Sequence, residues 1–121
     1  MSQANYPNAA TMKTMIAPVS QAATVTGSAI DLIEYECKVL IVQHKGLGTG
    51  TLDGKIQDSP DGTTGWADVA GATFTQSGTA ADIKSLWLDT RSVRRFVRYV
   101  GTIVTGPHLL AVELSGVPKI V

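Results

Sequence analysis

Few side chains in this sequence are placed to do chemistry. His44 ends an apolar run and His108 follows Gly106-Pro107, and neither belongs to an H-x-x-x-H or H-x-H pair of the kind that holds a metal. A zinc or non-haem iron site would have to join both to a distant carboxylate, so two exposed loop histidines are the simpler expectation. The carboxylates are scattered, at Asp53, Asp58, Asp61, Asp68, Asp82 and Asp89. "QDSPDG" resembles the start of a calcium loop but lacks the D-x-D-x-D-G spacing and the distal Glu, and a Pro-Asp-Gly turn is expected instead. There is no G-x-S-x-G nucleophile elbow. Cys37 is the single cysteine, which excludes an intramolecular disulfide and a cysteine-based zinc cluster. Beside "KVLIV" it reads as a packed thiol, not a reactive one. No catalytic residue, metal or cofactor is expected.

"VLIVQHKGLGTGTL" raises the possibility of a phosphate-binding loop. Such a loop needs a helix directly after the glycines, whose N-terminal amides and dipole hold the anion. Gly46, Gly48 and Gly50 are spaced G-x-G-x-G, matching neither the dinucleotide nor the P-loop pattern, and "TLDGKIQD" then alternates with period two. The loop therefore joins strand to strand, and the glycines are expected to supply the positive φ of a hairpin connection.

The basic cluster "RSVRRFVRYV" interleaves Arg91, Arg94, Arg95 and Arg98 with Phe96 and Tyr99. It could form a single-strand nucleic-acid platform. On a strand, however, Arg94 and Arg98 share a face with Phe96 while Arg95 falls with Val97 and Tyr99. The arginines are expected to cover sheet edges and pair with nearby carboxylates, with no specific nucleic acid as partner. Trp87 is more informative. With Leu86 and Leu88 toward the core it must point outward, where a tryptophan needs a cover. Trp66 is expected to lie over the core.

The elements that position these residues are strands. In "TLDGKIQD", Leu52, Gly54 and Ile56 point one way and Asp53, Lys55 and Gln57 the other; in "LLAVELSG", Leu110, Val112 and Leu114 point inward and Ala111, Glu113 and Ser115 outward. "CKVLIVQ" is apolar almost throughout, as in a strand covered on both faces. "FVRYVGTIV" is rich in β-branched and aromatic residues. "TAADIKSLWLDTRSV" has some helical character, but Leu86 and Leu88 favour a strand. Turn signals at "GLGTG", "SPDGTTG", "AGAT", "QSGTA" and "TGPH" recur roughly every 8 to 15 residues, the spacing of an antiparallel sandwich. The expected fold is an all-β, antiparallel, jelly-roll-like β-sandwich over residues 21–121. Residues 1–20, rich in Ala, Ser, Asn and Thr and without a period, are expected to form an extended N-terminal arm.

Composition agrees with a single globular domain. The chain has 121 residues, 44% hydrophobic and 17% charged, with ten basic residues balanced by ten acidic ones. Zero net charge argues against nucleic acid as the main partner and favours self-association. No apolar run approaches the roughly 20 residues that span a bilayer, and the start lacks the pattern of a signal peptide. Synthesis in the cytoplasm without export, and no membrane partner, are the expectations.

"KIQDSPDGTTGWADVAGATFTQ" followed by "LDTRSVRRFVRYVGTIVTGPH" resembles small β-sandwich virion proteins of tailed bacteriophages, of the kind that decorate or cement the head. The shared pattern is a strand, an S-x-D-G-x-x-x-W-x-D-V-x-G turn and strand, then R-[FY]-V-R opening a long strand; the likeness covers roughly residues 27 to 117. A similar arrangement occurs in discoidin-like carbohydrate-binding modules, which are usually longer and secreted, and a tail or baseplate component would share the same features. The resemblance to decoration proteins implies a non-enzymatic structural protein on the capsid surface of the virion. Its partners would be the major capsid protein and other copies of itself, in a homo-oligomer such as a trimer. The apolar groups left without a place in the sandwich, Tyr6, Pro7, Met12, Met15, Ile16 and Trp87, are the candidate partner contacts.

Overall fold

The structure, a computed structural model, describes residues 11–119. Among these residues it contains strands and no α-helix: β1 (Thr11–Gln21), β2 (Val25–Thr26), β3 (Ile30–Asp31), β4 (Tyr35–Gly48), β5 (Thr51–Ser59), β6 (Ala67–Thr73), β7 (Asp82–Asp89), β8 (Phe96–Val104) and β9 (His108–Pro118). They form two antiparallel sheets, one ordered β1-β9-β4-β7 and the other β2-β8-β5-β6, with β3 also pairing with β8. The two-layer all-β sandwich expected from the sequence is the fold. The chain changes sheet at most connections, and its first and last strands are neighbours.

The core lies between the layers. Leu52 and Ile56 of β5, Val97 and Tyr99 of β8, Val39 and Ile41 of β4, and Leu110, Val112 and Leu114 of β9 are buried, following the alternation visible in the sequence. Each such side chain contributes about 1.5–3 kcal/mol on leaving water. The Tyr99 hydroxyl donates to Gln43 Oε1 at 2.5 Å, joining β8 to β4 across the interior. Burial pushes the Tyr99 pKa up, so the phenol stays a donor.

Several expectations need correction. From Thr11 onward the expected arm is strand β1, paired with β9, and Met15 and Ile16 are core residues. Register shifts between Thr14 and Ile16 and between Ile16 and Val19 break the alternation, which is why no period showed in the sequence. Met15 and Ile16 are thereby removed from the candidate contacts. Tyr6 and Pro7 lie outside the described residues.

Strand β4 is not covered on both faces. It buries Val39, Ile41, Gln43 and Lys45 and leaves Leu40 and Val42 half-exposed on the other side. Cys37 is exposed, not packed, because the register shift between Tyr35 and Val39 turns it outward with φ of 48°. "AGAT" lies within β6, where Gly71 has φ of 77° beside a register shift, and is not a turn between strands.

The glycine loop joins strand to strand, but not as a hairpin. β4 and β5 belong to different sheets, and Thr49-Gly50 carries the chain from one layer to the other. Gly50 has φ of 79°, and a Cβ there would strike the carbonyl oxygens of Val104 and Thr105. Gly46 and Gly48 serve a different need, since a Cβ would meet Leu109 at the first and the His108 ring at the second.

Candidate docking surface

The four-stranded sheet turns one face to the core and the other to solvent. Its outer face can be assembled from the register. Met12 on β1 stands opposite Ser115 on β9, Ser115 opposite Leu40 on β4, and Leu40 opposite Trp87 on β7. One transverse row thus carries Met12, Leu40 and Trp87 across the whole sheet, over about 14 Å at the usual strand spacing. Met12 is 61% exposed and Trp87 64%. The next rows add Val42, then Ala111 and Ile83 flanking His44, with Leu109 beyond. A shallow groove at that end is lined by Pro18, Val19, His44, Ile83, Leu109 and Ala111. Exposed apolar side chains gathered on one face in this way make it the candidate interaction surface.

Polar groups share this face: Ser115 lies in the first row, Thr14, Glu113 and Ser85 flank Val42 in the second, and His44 stands in the third. His44 Nε2 lies 3.6 Å from Glu113 Oε1, on the two central strands. Lys38 places its ammonium 5.5 Å from the centre of the Trp87 ring, a cation–π contact that leaves most of the indole uncovered. The sequence placed Met12 and Trp87 among the candidate contacts, and the structure brings them into one row. It missed Leu40, Val42, Ile83, Leu109 and Ala111. The signal lay in Leu40 and Val42, the second face of "KVLIV", and in Leu109 and Ala111 at the outward positions of "LLAVELSG", which are apolar where an exposed face would ordinarily be polar.

The remaining candidates are structural. Arg94 donates to the Asp58 carboxylate at 2.9–3.0 Å and to the Gly65 carbonyl at 2.7 Å, and Arg95 pairs with Asp31 at 2.7 and 2.9 Å. Arg95 holds the Asp31 carboxyl below its ordinary value. Arg98 donates to Gln57 and stacks 4.2 Å from the Trp66 ring, on the outer side of the second sheet. Trp66 therefore lies under an arginine and not over the core, a correction that follows from the outward parity of Arg98 between buried Val97 and Tyr99. Asp61 accepts from the Thr63 and Thr64 amides and the Thr64 hydroxyl, which closes the Pro-Asp-Gly turn and holds its pKa far below the usual carboxylate range.

His108 is also corrected, because it is fully buried at the start of β9. It faces inward while His44 faces outward, so the two rings lie on opposite faces of one sheet. Among the described residues neither ring nitrogen of His108 has a hydrogen-bond partner. Burial, aided by the nearby Lys45 charge, lowers its pKa from 6.5, with the Thr49 and Thr51 backbone pulling less strongly the other way. The unfolded chain therefore binds a proton that the folded one refuses. Stability is expected to be full above about pH 6.5 and to fall as the pH drops below it. Urea unfolding at pH 7.5 and pH 5 checks this: the folded fraction should shift toward unfolded at the lower pH, and His108→Leu should flatten the dependence. An unchanged midpoint in the wild type would contradict it. The carboxylates held low by partners titrate in a separate window, below about pH 4.

Fold and surface together define a two-layer antiparallel β-sandwich in which, among the described residues, one sheet face exposes Met12, Ile83, Trp87 and Leu109. No family model matches the sequence, and no curated protein matches it. A similar solved structure is that of the SPBc2 prophage-derived protein YomS, with a TM-score of 0.57 and 9% sequence identity over 89% of this chain and 92% of that one. At that identity the likeness is one of fold.

Proposed function

We propose that this chain is a non-enzymatic structural protein of a tailed-phage virion that decorates or cements the capsid, docking on other virion subunits through the outer face of its four-stranded sheet. The observation that carries the reading is the row Met12–Leu40–Trp87 and the apolar residues beyond it, which have no cover within the described part of the chain. The fold likeness to a prophage-derived protein supports a phage context, as does the resemblance of the "SPDGTTGWADVAG" and "RRFVRYV" segments to decoration proteins. We read the winding of the two sheets as jelly-roll in type. The major capsid protein and other copies of this chain are the partners in this reading, with Tyr6 and Pro7 as further contacts.

Cementing needs no catalytic group. A ligand that binds the assembled shell and not its separated subunits stabilises the shell by mass action. Contacts of about 800 Å² per partner become durable when several engage together. The test is occupancy on capsids prepared without the protein. Wild type should bind saturably. Trp87→Asp and Met12→Asp, both at exposed outward positions, should keep their fold by circular dichroism and lose at least about tenfold in apparent affinity. Occupancy equal to wild type for both variants would remove this face from the function.

A further inference from the structure

The chemistry of the outer face narrows its occupant. Near its centre, among the uncharged Thr14, Val42, Ser85 and Ala111, it offers one acid and one base, Glu113 on β9 and His44 on β4, side by side on the two middle strands and each about half-exposed. A surface with that pattern complements itself. A two-fold axis lying in the plane of contact, across the line joining the two groups and through its midpoint, sets each carboxylate over the other copy's imidazole. We infer that this face docks on the same face of a second copy of the chain, as an isologous dimer closed by two reciprocal Glu113–His44 contacts. The inference rests on the reading of this face as a docking surface, but not on the virion as the place where it works.

Three physical points carry it. An imidazole N–H donates to a carboxylate whether or not the ring is protonated, so the reciprocal contacts give each group a partner in the second copy in place of the water it loses, beside the 3.6 Å approach the two already make within one copy. A two-fold contact uses one patch on both copies, so a single self-complementary surface is sufficient. Area is adequate for a reversible pair. Four strands about 4.8 Å apart, over same-face rows from that of Trp87 to that of Leu109, give a patch of roughly 20 by 20 Å. With side-chain relief, two such patches bury on the order of 1,000 Å², the lower end for a specific interface. The chain's zero net charge adds no overall repulsion between copies.

Sedimentation velocity of the full chain across roughly 1–100 µM reads the outcome directly. Wild type should pass from monomer to dimer in that range. His44→Glu places two carboxylates together at each contact, and Glu113→Lys opposes a cation to the imidazole, so each variant alone should weaken the dimer at least about tenfold. The two variants mixed should recover association. In the mixed pair, Glu113 of the first meets His44 of the second, and the new Glu at 44 meets the new Lys at 113. Circular dichroism confirms that both variants are folded. A wild type that stays monomeric throughout, a trimer, or a dimer indifferent to both variants would overturn the inference. Capsid occupancy measured on the same samples keeps the two readings apart: binding by a strictly monomeric chain would leave the virion role standing and end the dimer.

Discussion

A chain beginning at Val19 is expected not to fold, whereas one beginning at Thr11, which keeps β1 whole, is expected to fold. The difference is strand β1. It pairs with β9 along most of its length and places Met15 and Ile16, 2% and 5% exposed, into the core. Replacing a buried Met or Ile by Ala typically costs about 2–5 kcal/mol, so losing both costs about 4–10 kcal/mol before the ladder hydrogen bonds are counted. A domain of this size has about 5–15 kcal/mol of stability in total. Removing β1 also uncovers the edge of β9 and invites aggregation. Ile16→Ala alone should lower stability by about 2–4 kcal/mol and remain folded. Equal unfolding midpoints for the chain from Val19 and the full chain would show that β1 is dispensable.

Gly50→Ala is expected to destabilise the protein by about 3 kcal/mol or more, from two separable causes. One is conformational: with φ of 79°, residue 50 lies in the region that L side chains avoid. The other is steric, since the new methyl would collide with the carbonyl oxygens of Val104 and Thr105 and come within 2.8 Å of Thr105 Cβ. Two other glycines separate these causes. Gly71 has φ of 77° with open space around it, so Gly71→Ala should show the strain alone, about 1–2 kcal/mol. Gly78 has neither a positive φ nor a neighbour within 4 Å, and Gly78→Ala should be close to neutral. Equal midpoints for all three variants in urea would refute this account of the crossing between the layers.

What the sequence disclosed depends on how regular each strand is. β5 as far as Gln57 and β9 as far as Gly116 keep strict alternation, so the inward set Leu52, Ile56, Leu110, Val112 and Leu114 is legible without any structure. β1 carries two register shifts of one extra residue each, which reverse the parity beyond them; β4 takes in two extra residues around Cys37, so Tyr35 and Val39 both stay inward while Cys37 between them is turned out. Those irregularities hid a strand inside the expected arm and made an exposed cysteine look packed. Sheet membership was illegible for a different reason. A short glycine connection looks the same whether it closes a hairpin or carries the chain to the opposite layer, and only the long-range pairing of β4 with β7 and β9 decides. His108 reads as a loop residue beside Gly-Pro, yet the space left by Gly48 holds its ring inside the sandwich.

The docking face was half visible. Trp87 could be placed outward from its neighbours alone, but a row that crosses four strands needs three registers at once. Two of its members, Met12 and Trp87, are 75 residues apart in the chain. Such a face is a property of pairing and not of any one segment.

The most direct test of the central claim is a cryo-electron microscopy map of particles carrying this chain, at a resolution that separates strands. Protein density from a second copy or a capsid subunit is expected over the outer face of the β1-β9-β4-β7 sheet, covering Met12, Leu40 and Trp87. Particles in which the chain is bound through other surfaces while that row stands open to solvent would contradict it.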